Sequence, residues 1–214
     1  MAVYTDTHTH QFKSPRNTSA LSGEAFINEF LHGHRAPFLE TFRMPRTTFQ
    51  DLCTWLRRKK LLVAQRRSQM SLEQMVGRFL GMVGHNMHSR DAQNRFQHSP
   101  LTITKGFHKA LDALLLLYSE FVKPPAETVP GHIGHDWDKI RYVNDMRGAI
   151  DGTHIEAQIP AKLQVPFRNQ KGTISQNVLA GCTLDMDFVY PLPGWGGSAN
   201  DSRVLEQAMV HDFP

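Results

Sequence analysis

Residues 148–155 read Gly-Ala-Ile-Asp-Gly-Thr-His-Ile, and residues 194–204 read Gly-Trp-Gly-Gly-Ser-Ala-Asn-Asp-Ser-Arg-Val. Each stretch offers an aspartate at the end of a strand or turn. Asp151 follows a short apolar run and precedes a glycine, so it is expected to end or interrupt a buried strand. A carboxylate in that place has no apolar role and needs a cation, a donor or a metal. Asp201 stands 50 positions further on (201 − 151). Two carboxylates brought together by a fold repel each other unless positive charge lies between them. A hard cation such as Mg²⁺ answers that need, because it takes carboxylate oxygens and keeps several waters. The pair therefore points to metal-dependent phosphoryl chemistry on nucleic acid.

Around the two aspartates the pattern is that of a mixed sheet and helix. Strands are expected over 154–159, 177–184 and 188–192, the second from the alternation of Val178, Ala180, Cys182 and Leu184 with Leu179, Gly181 and Thr183. A helix is expected over 202–209, with Asp201 as a candidate N-cap. Upstream, 136–146 is predicted to be a helix that leads into the strand ending at Asp151. The preceding stretch holds Pro124, Pro125, Pro130, Gly131 and Gly134 and reads as a linker over 124–135.

The first half is helical in pattern. Helices are predicted over 22–32, 47–60, 71–85, 89–97 and 100–121. Ser22, Ser71 and Ser89 are the expected caps, Ser71 with Gln74 making a capping box. The expected buried stripes are Phe26, Ile27, Phe30 and Leu31; then Phe49, Leu52, Cys53 and Leu56; then Leu72, Met75, Val76, Phe79, Leu80 and Val83. Ala92 and Phe96 follow, then Ile103, Phe107, Leu111, Leu114 and Leu115. A helix, a brief turn at His98-Ser99 and a longer helix opening at Pro100, all after a supporting helix, form the pattern of a helix-turn-helix. Its recognition helix would carry Thr102, Thr104, Lys105, His108 and Lys109 near the start, with Arg90 and Arg95 on the preceding helix as phosphate contacts. A helical bundle with a basic face that binds no DNA has the same pattern. Arg57-Arg58-Lys59-Lys60 closes its helix favourably through the helix dipole, which outweighs a localisation signal as its explanation.

The net charge is +4, unevenly spread. From Arg43 to Lys123 fourteen Lys/Arg stand against five Asp/Glu, a balance of +9; from Asp151 to Pro214 four stand against seven, a balance of −3. A basic part joined to an acidic part suits a DNA-binding module beside a carboxylate metal site. No apolar run is long enough to span a bilayer, and residues 1–18 are polar, without a signal-peptide core, and are expected to be disordered. Two distant cysteines, Cys53 and Cys182, imply no disulfide framework and a reducing intracellular compartment; the localisation expected is nuclear. The histidine pairs His8/His10, His32/His34 and His132/His135 with Asp136 have metal-ligand spacings but no cysteine to complete a zinc set, and read as solvent-exposed.

In content, order and spacing, several segments resemble the PIF/Harbinger transposases and the Harbinger-derived nucleases. They are 148–155, then Phe167-Arg168-Asn169-Gln170-Lys171-Gly172 with Ser175-Gln176-Asn177-Val178, then Gly194-Trp195 with Ser198 and Asp201-Ser202-Arg203-Val204-Leu205. The helical part adds Phe42-Arg43-Met44-Pro45 and Val83-Gly84-His85-Asn86. The resemblance runs from about Ser19 onward. After the disordered 1–18, it implies an α+β chain: an N-terminal all-α helix-turn-helix-like DNA-binding domain over 19–123 and, beyond the linker 124–135, an incomplete RNase H-like DDE nuclease domain over 136–214. It implies divalent metal ions, Mg²⁺ or Mn²⁺, held by carboxylates that serve as catalytic and metal-binding residues. One ion activates a water and the other stabilises the leaving oxygen, so no Ser or Cys nucleophile is expected. Asp151 takes the place of the first such aspartate and Asp201 that of a second; the alternative is that the second follows a later strand, with Asp201 supporting the site or purely structural. Arg168 and Lys171 stand as phosphate contacts. A separate Myb-like protein is an implied partner alongside DNA.

Three departures accompany the resemblance. Asn200 stands where the family usually has histidine, Gln170 where a basic residue is common, and no residue matches the third carboxylate, a glutamate on a late helix; Glu206 is too near Asp201 in sequence for that role. The expectation is a truncated, inactive transposase-type nuclease. The competing expectations are a DNA-binding remnant indifferent to Asp151, and an interaction scaffold that binds neither DNA nor metal.

Overall fold

The computed structural model describes residues 17–63, 70–126, 146–210 and Phe213. The tail 1–16, most of the linker 124–135 and all but Met146 of the helix expected over 136–146 lie outside them, with His8, His10, His132, His135 and Asp136. The chain divides into two compact units, Met1–Leu117 and Tyr118–Pro214. Among the described residues no helix is long and apolar enough to cross a membrane.

The first unit is all helix: α1 (Gly23–His32), α2 (Arg35–Phe42), α3 (Arg46–Arg58), α4 (Leu72–Gly84), α5 (Ser89–Phe96) and α6 (Pro100–Leu115). Caps set the starts. The hydroxyl of Ser22 accepts the Ala25 N–H at 3.1 Å, that of Ser71 the Gln74 N–H at 3.1 Å, and that of Ser99 the Thr102 N–H at 3.3 Å. The Gln74 side chain does not turn back to close a capping box; it is buried and meets His98, its Nε2 lying 2.8 Å from the His98 Nε2. Ser89 is the first residue of α5 rather than its cap, and His88 holds the cap position without a side-chain bond. The helix expected to reach Phe121 stops at Leu115, and a separate turn α7 (Tyr118–Phe121) follows in the second unit.

Helix α2 has no counterpart among the predicted elements. Pro37 reads as a breaker, yet it stands in the first turn, where a missing N–H breaks no intrahelical bond. Phe38 and Phe42, one turn apart, carry α2 into the core, where they meet each other at 4.6 Å between ring centroids and Phe49 at 5.4 and 5.7 Å. Arg43 in the left-handed region, φ 57°, ends the helix.

Helix α4 is the axis of this unit and touches α1, α2, α3, α5 and α6. It is buried on most sides, at Leu72, Gln74, Met75, Val76, Gly77, Arg78, Phe79 and Gly81. Val83, expected inside, is exposed, because the stripe turns outward in the last turn. Leu115 of α6 is likewise exposed; the inner line of α6 is Ile103, Gly106, Ala110 and Ala113, small residues that let α6 approach α4. Into that approach projects Arg78, wholly buried, with Nε, Nη1 and Nη2 lacking any hydrogen-bond partner.

Cys53 is buried between α3 and its neighbours, and burial, reinforced by Glu73, pushes its thiol up to about 12. Only a thiolate alkylates readily. Iodoacetamide on the native chain is therefore expected to label the half-buried Cys182 and spare Cys53, as read by mass spectrometry; Cys53 labelling at the Cys182 rate would contradict this packing.

The second unit holds a three-stranded antiparallel sheet in the order β1-β2-β3, with β1 (Ala149–Glu156), β2 (Ser175–Cys182) and β3 (Phe188–Gly196), then helix α8 (Asp201–Ala208). Strand β1 does not end at Asp151. It runs on through Glu156 and joins what sequence pattern separates into two pieces, because Gly152 stays in register opposite Leu179. Nor is it buried: seven of its eight residues are exposed. Between β1 and β2 lie two 3₁₀ turns, Ala161–Leu163 and Val165–Phe167, and a bridge pairing Arg168 with Ile174. Side chains alternate across a strand, and on β2 the inward set is Ser175, Asn177, Leu179 and Gly181. Helix α8 lays Val204 and Ala208 on that face beside Leu179, with Tyr190, Leu192, Trp195 and Leu205 completing a small core.

Candidate functional site

Asp201 is the first residue of α8, and its neighbour Asn200 caps the helix, its side chain accepting the Arg203 N–H at 3.0 Å. The sequence expectation of Asp201 as N-cap is thus corrected by one residue. Freed from capping, the Asp201 carboxylate rests on the sheet. A Cβ added to Gly152 would lie 2.0 Å from its Oδ1, so the glycine leaves the room it occupies. Asn177, 1% exposed, donates from Nδ2 to Asp201 Oδ1 at 2.8 Å and to the Ala199 carbonyl at 3.0 Å. One amide therefore ties β2 to both the approach and the start of α8.

Asp151 is next to Gly152 in the chain but not on the same side of the sheet. Gly152 pairs with Leu179 on the face covered by α8, whereas Asp151 pairs with Ala180 on the other. Asp151 is exposed, and its Oδ1 accepts the Gly152 N–H at 2.9 Å. The fold brings the two backbones together and turns the two carboxylates apart. Among the described residues no group of three or more His, Cys, Asp or Glu is placed to hold a metal ion. As placed, then, the residues do not fit an ion shared by Asp151 and Asp201; the one oxygen of Asp201 with a bond already answers Asn177.

What gathers around Asp201 is a different set. A cleft of about 320 Å³ is lined by His154, Asn169, Gln170, Lys171, Gly197, Ser198, Ala199, Asn200 and Asp201. Lys171 rides on a tightly bonded tip. Asn169 Oδ1 accepts the N–H of Lys171 and of Thr173, each at 3.0 Å, and Asn169 Nδ2 donates to Thr173 Oγ1 at 2.7 Å and to Ser175 Oγ at 3.2 Å. Gly172, φ +79°, makes the reversal. Arg168 is turned onto the tip's own backbone, donating to the Gly172 carbonyl at 3.0 Å, and is not among the lining residues. Four polar residues here had no assigned role: His154, Asn169, Ser175 and Asn177. A signal existed for two of them. Ser175 and Asn177 occupy alternate positions of a strand, and the inward face of β2 continues through them to Leu179.

In the helical unit Arg90, Arg95, Lys105, His108 and Lys109 are all exposed. Lys105, His108 and Lys109 share one face of α6, opposite Ile103 and Ala110, and Asp112 lies one turn beyond His108 on that face. Arg95 is partly committed, its guanidinium lying 5.1 Å over the Phe26 ring. Gln97, φ 55°, makes the turn between α5 and α6, its N–H bonding to the Gln93 carbonyl.

Residues 18–116 match the model of a domain of unknown function, DUF8040. No curated protein matches the chain, and no solved structure does. Residues 150–214 match the model of the DDE superfamily endonuclease, so the part of the chain that carries β1 to α8, with Asp151 and Asp201, is similar to the endonucleases of that superfamily.

Proposed function

We propose that the chain is a transposase-derived DNA nuclease of Harbinger type, cleaving phosphodiester bonds with Mg²⁺ or Mn²⁺. The match over 150–214 carries this reading, and it has one support in the geometry: Asp201 packs on Gly152, beside Asp151 in the chain. Three antiparallel strands followed by a helix are read as the start of an RNase H-like arrangement. Helices α4 to α6, with the basic face of α6, are read as a helix-turn-helix that holds the DNA. Such an activity belongs to the nucleus, with a Myb-like protein as a candidate partner. Supercoiled plasmid incubated with the chain and Mg²⁺ or Mn²⁺ tests the reading: nicking that is lost in both Asp151→Asn and Asp201→Asn supports cleavage at these carboxylates, and no nicking leaves the second reading below. Nicking that survives either substitution removes that carboxylate from the site.

The opposite-face placement of Asp151 and Asp201 favours a second reading, a DNA-binding protein without cleavage. It predicts salt-sensitive DNA affinity that Asp151→Ala leaves unchanged. Under either reading, replacing Lys105 and Lys109 together by alanine is expected to weaken DNA binding about tenfold and to lower the salt slope by about two. Fluorescence anisotropy across a salt series measures both; an unchanged slope would take α6 off the DNA.

A further inference from the structure

His154 lies on the α8 side of β1, opposite Asn177, and lines the cleft with Lys171 and Asp201. Its ring is held by a chain of hydrogen bonds whose direction can be read from the donors. Asn169 Oδ1 already accepts two backbone N–H groups, so its amide has one orientation and Nδ2 must donate. One of its acceptors is Ser175 Oγ at 3.2 Å. Ser175, 1% exposed, has a single hydroxyl hydrogen, and the acceptor within its reach is His154 Nδ1 at 3.1 Å. The order is therefore Asn169 to Ser175 to His154. Neutral His154 then has its proton on Nε2, the ring atom left for the cleft.

We infer that His154 and Lys171 seat one phosphodiester group of bound DNA in this cleft, His154 donating from Nε2 and Lys171 from Nζ. The inference rests on DNA being the substrate. The serine relay sets the His154 ring before the ligand arrives, and the Asn169 tip holds the backbone from which the Lys171 side chain extends. Asp201, the acid of the cleft, is drawn onto Asn177 and Gly152. The seat is independent of Asp151, which faces the other side of the sheet.

Two measurements on the whole chain test this. Long-range proton–nitrogen NMR is expected to find His154 Nε2 protonated and Nδ1 bare at alkaline pH, and to find that preference lost in Ser175→Ala. Binding of a labelled short DNA duplex is read with Lys105 and Lys109 already replaced by alanine, so that α6 does not mask the cleft. There His154→Ala and Lys171→Ala each are expected to weaken binding about tenfold, while His154→Gln, which keeps a donor at the Nε2 position, is expected to retain most of it. Exposed Lys171 is a position whose loss leaves the fold intact. A proton on Nδ1, or alanine variants that bind like their parent, overturns the seat and leaves the nuclease reading standing. A doubly substituted parent that no longer binds DNA at all also overturns the seat, and an unsubstituted chain with no affinity for DNA overturns both.

Discussion

Arg78→Met is expected to raise the stability of the helical unit, by about 1–4 kcal/mol on the scale seen when a buried charge gives way to an apolar side chain of similar volume. Arg78 is fully buried between α4 and α6, and none of its three nitrogens has a partner. Taking a guanidinium out of water without replacing its hydrogen bonds is among the most costly things a fold can do. The same burial pulls its pKa down from the usual guanidinium range to about 10. It also bears on His98, held below the usual imidazole range first by burial and then by the charge of Arg78. The sign in pH follows. Below about pH 10 the folded chain carries the buried charge and the full cost. Above about pH 10 the folded state releases the proton while the unfolded state keeps it, so stability gains relative to the neutral variant. The advantage of Arg78→Met should therefore shrink as pH rises above about 10. Cys53 titrates in the same window but is common to both proteins, so it cancels in the difference. Melting followed by circular dichroism measures this; a variant less stable than the parent would mean that the guanidinium has a partner, such as bound water.

Gly152→Ala is expected to cost about 1–3 kcal/mol in the second unit, as overpacked sites do. The added methyl would stand 2.0 Å from Asp201 Oδ1 and 2.4 Å from its Cγ. Asp201 cannot swing away cheaply. It begins a helix fixed by the fully buried Val204 and Ala208, and moving its carboxylate breaks the bond from Asn177. Hydrogen exchange of the β1 and β2 amides reports the loss. Asp201→Ala made in the same chain should recover part of it, so the two changes together cost less than their sum. Strict additivity would show that the carboxylate does not rest on the glycine.

The helices were legible where caps and stripes agree. Ser22 and Ser71 cap their helices as expected, whereas Ser89 does not cap α5 and the Ser99 cap went unread; Phe49, Cys53 and Leu56 or Ala92 and Phe96 went inside as their spacing requires. Helix α2 was illegible because Pro37 is a breaker everywhere except the first turn. The sheet misled for a different reason. Asp151 reads as a terminus only if β1 is buried, and β1 is an exposed strand in which an aspartate costs nothing. The candidate site was half legible: the segment with Asp201 and Lys171 could be found, but the neighbours that hold them, Asn177 and Asn169, act through side-chain bonds across 24 and 4–6 residues that no local pattern encodes. That Asp151 and Asp201 fall on opposite faces depends on register, which a shift of one residue would reverse.

The Asn177 amide, with its two bonds to Ala199 and Asp201, also sets how this molecule would age. Hydrolysis of that one group to an acid leaves chain length, volume and shape almost untouched. Yet it exchanges a double donor for a second carboxylate facing Asp201, and repulsion would replace attraction at the point where α8 joins the sheet. A stored sample could thus lose its second unit by slow chemistry while its first remained sound, with mass spectrometry registering the cause before any spectroscopic signal registered the effect.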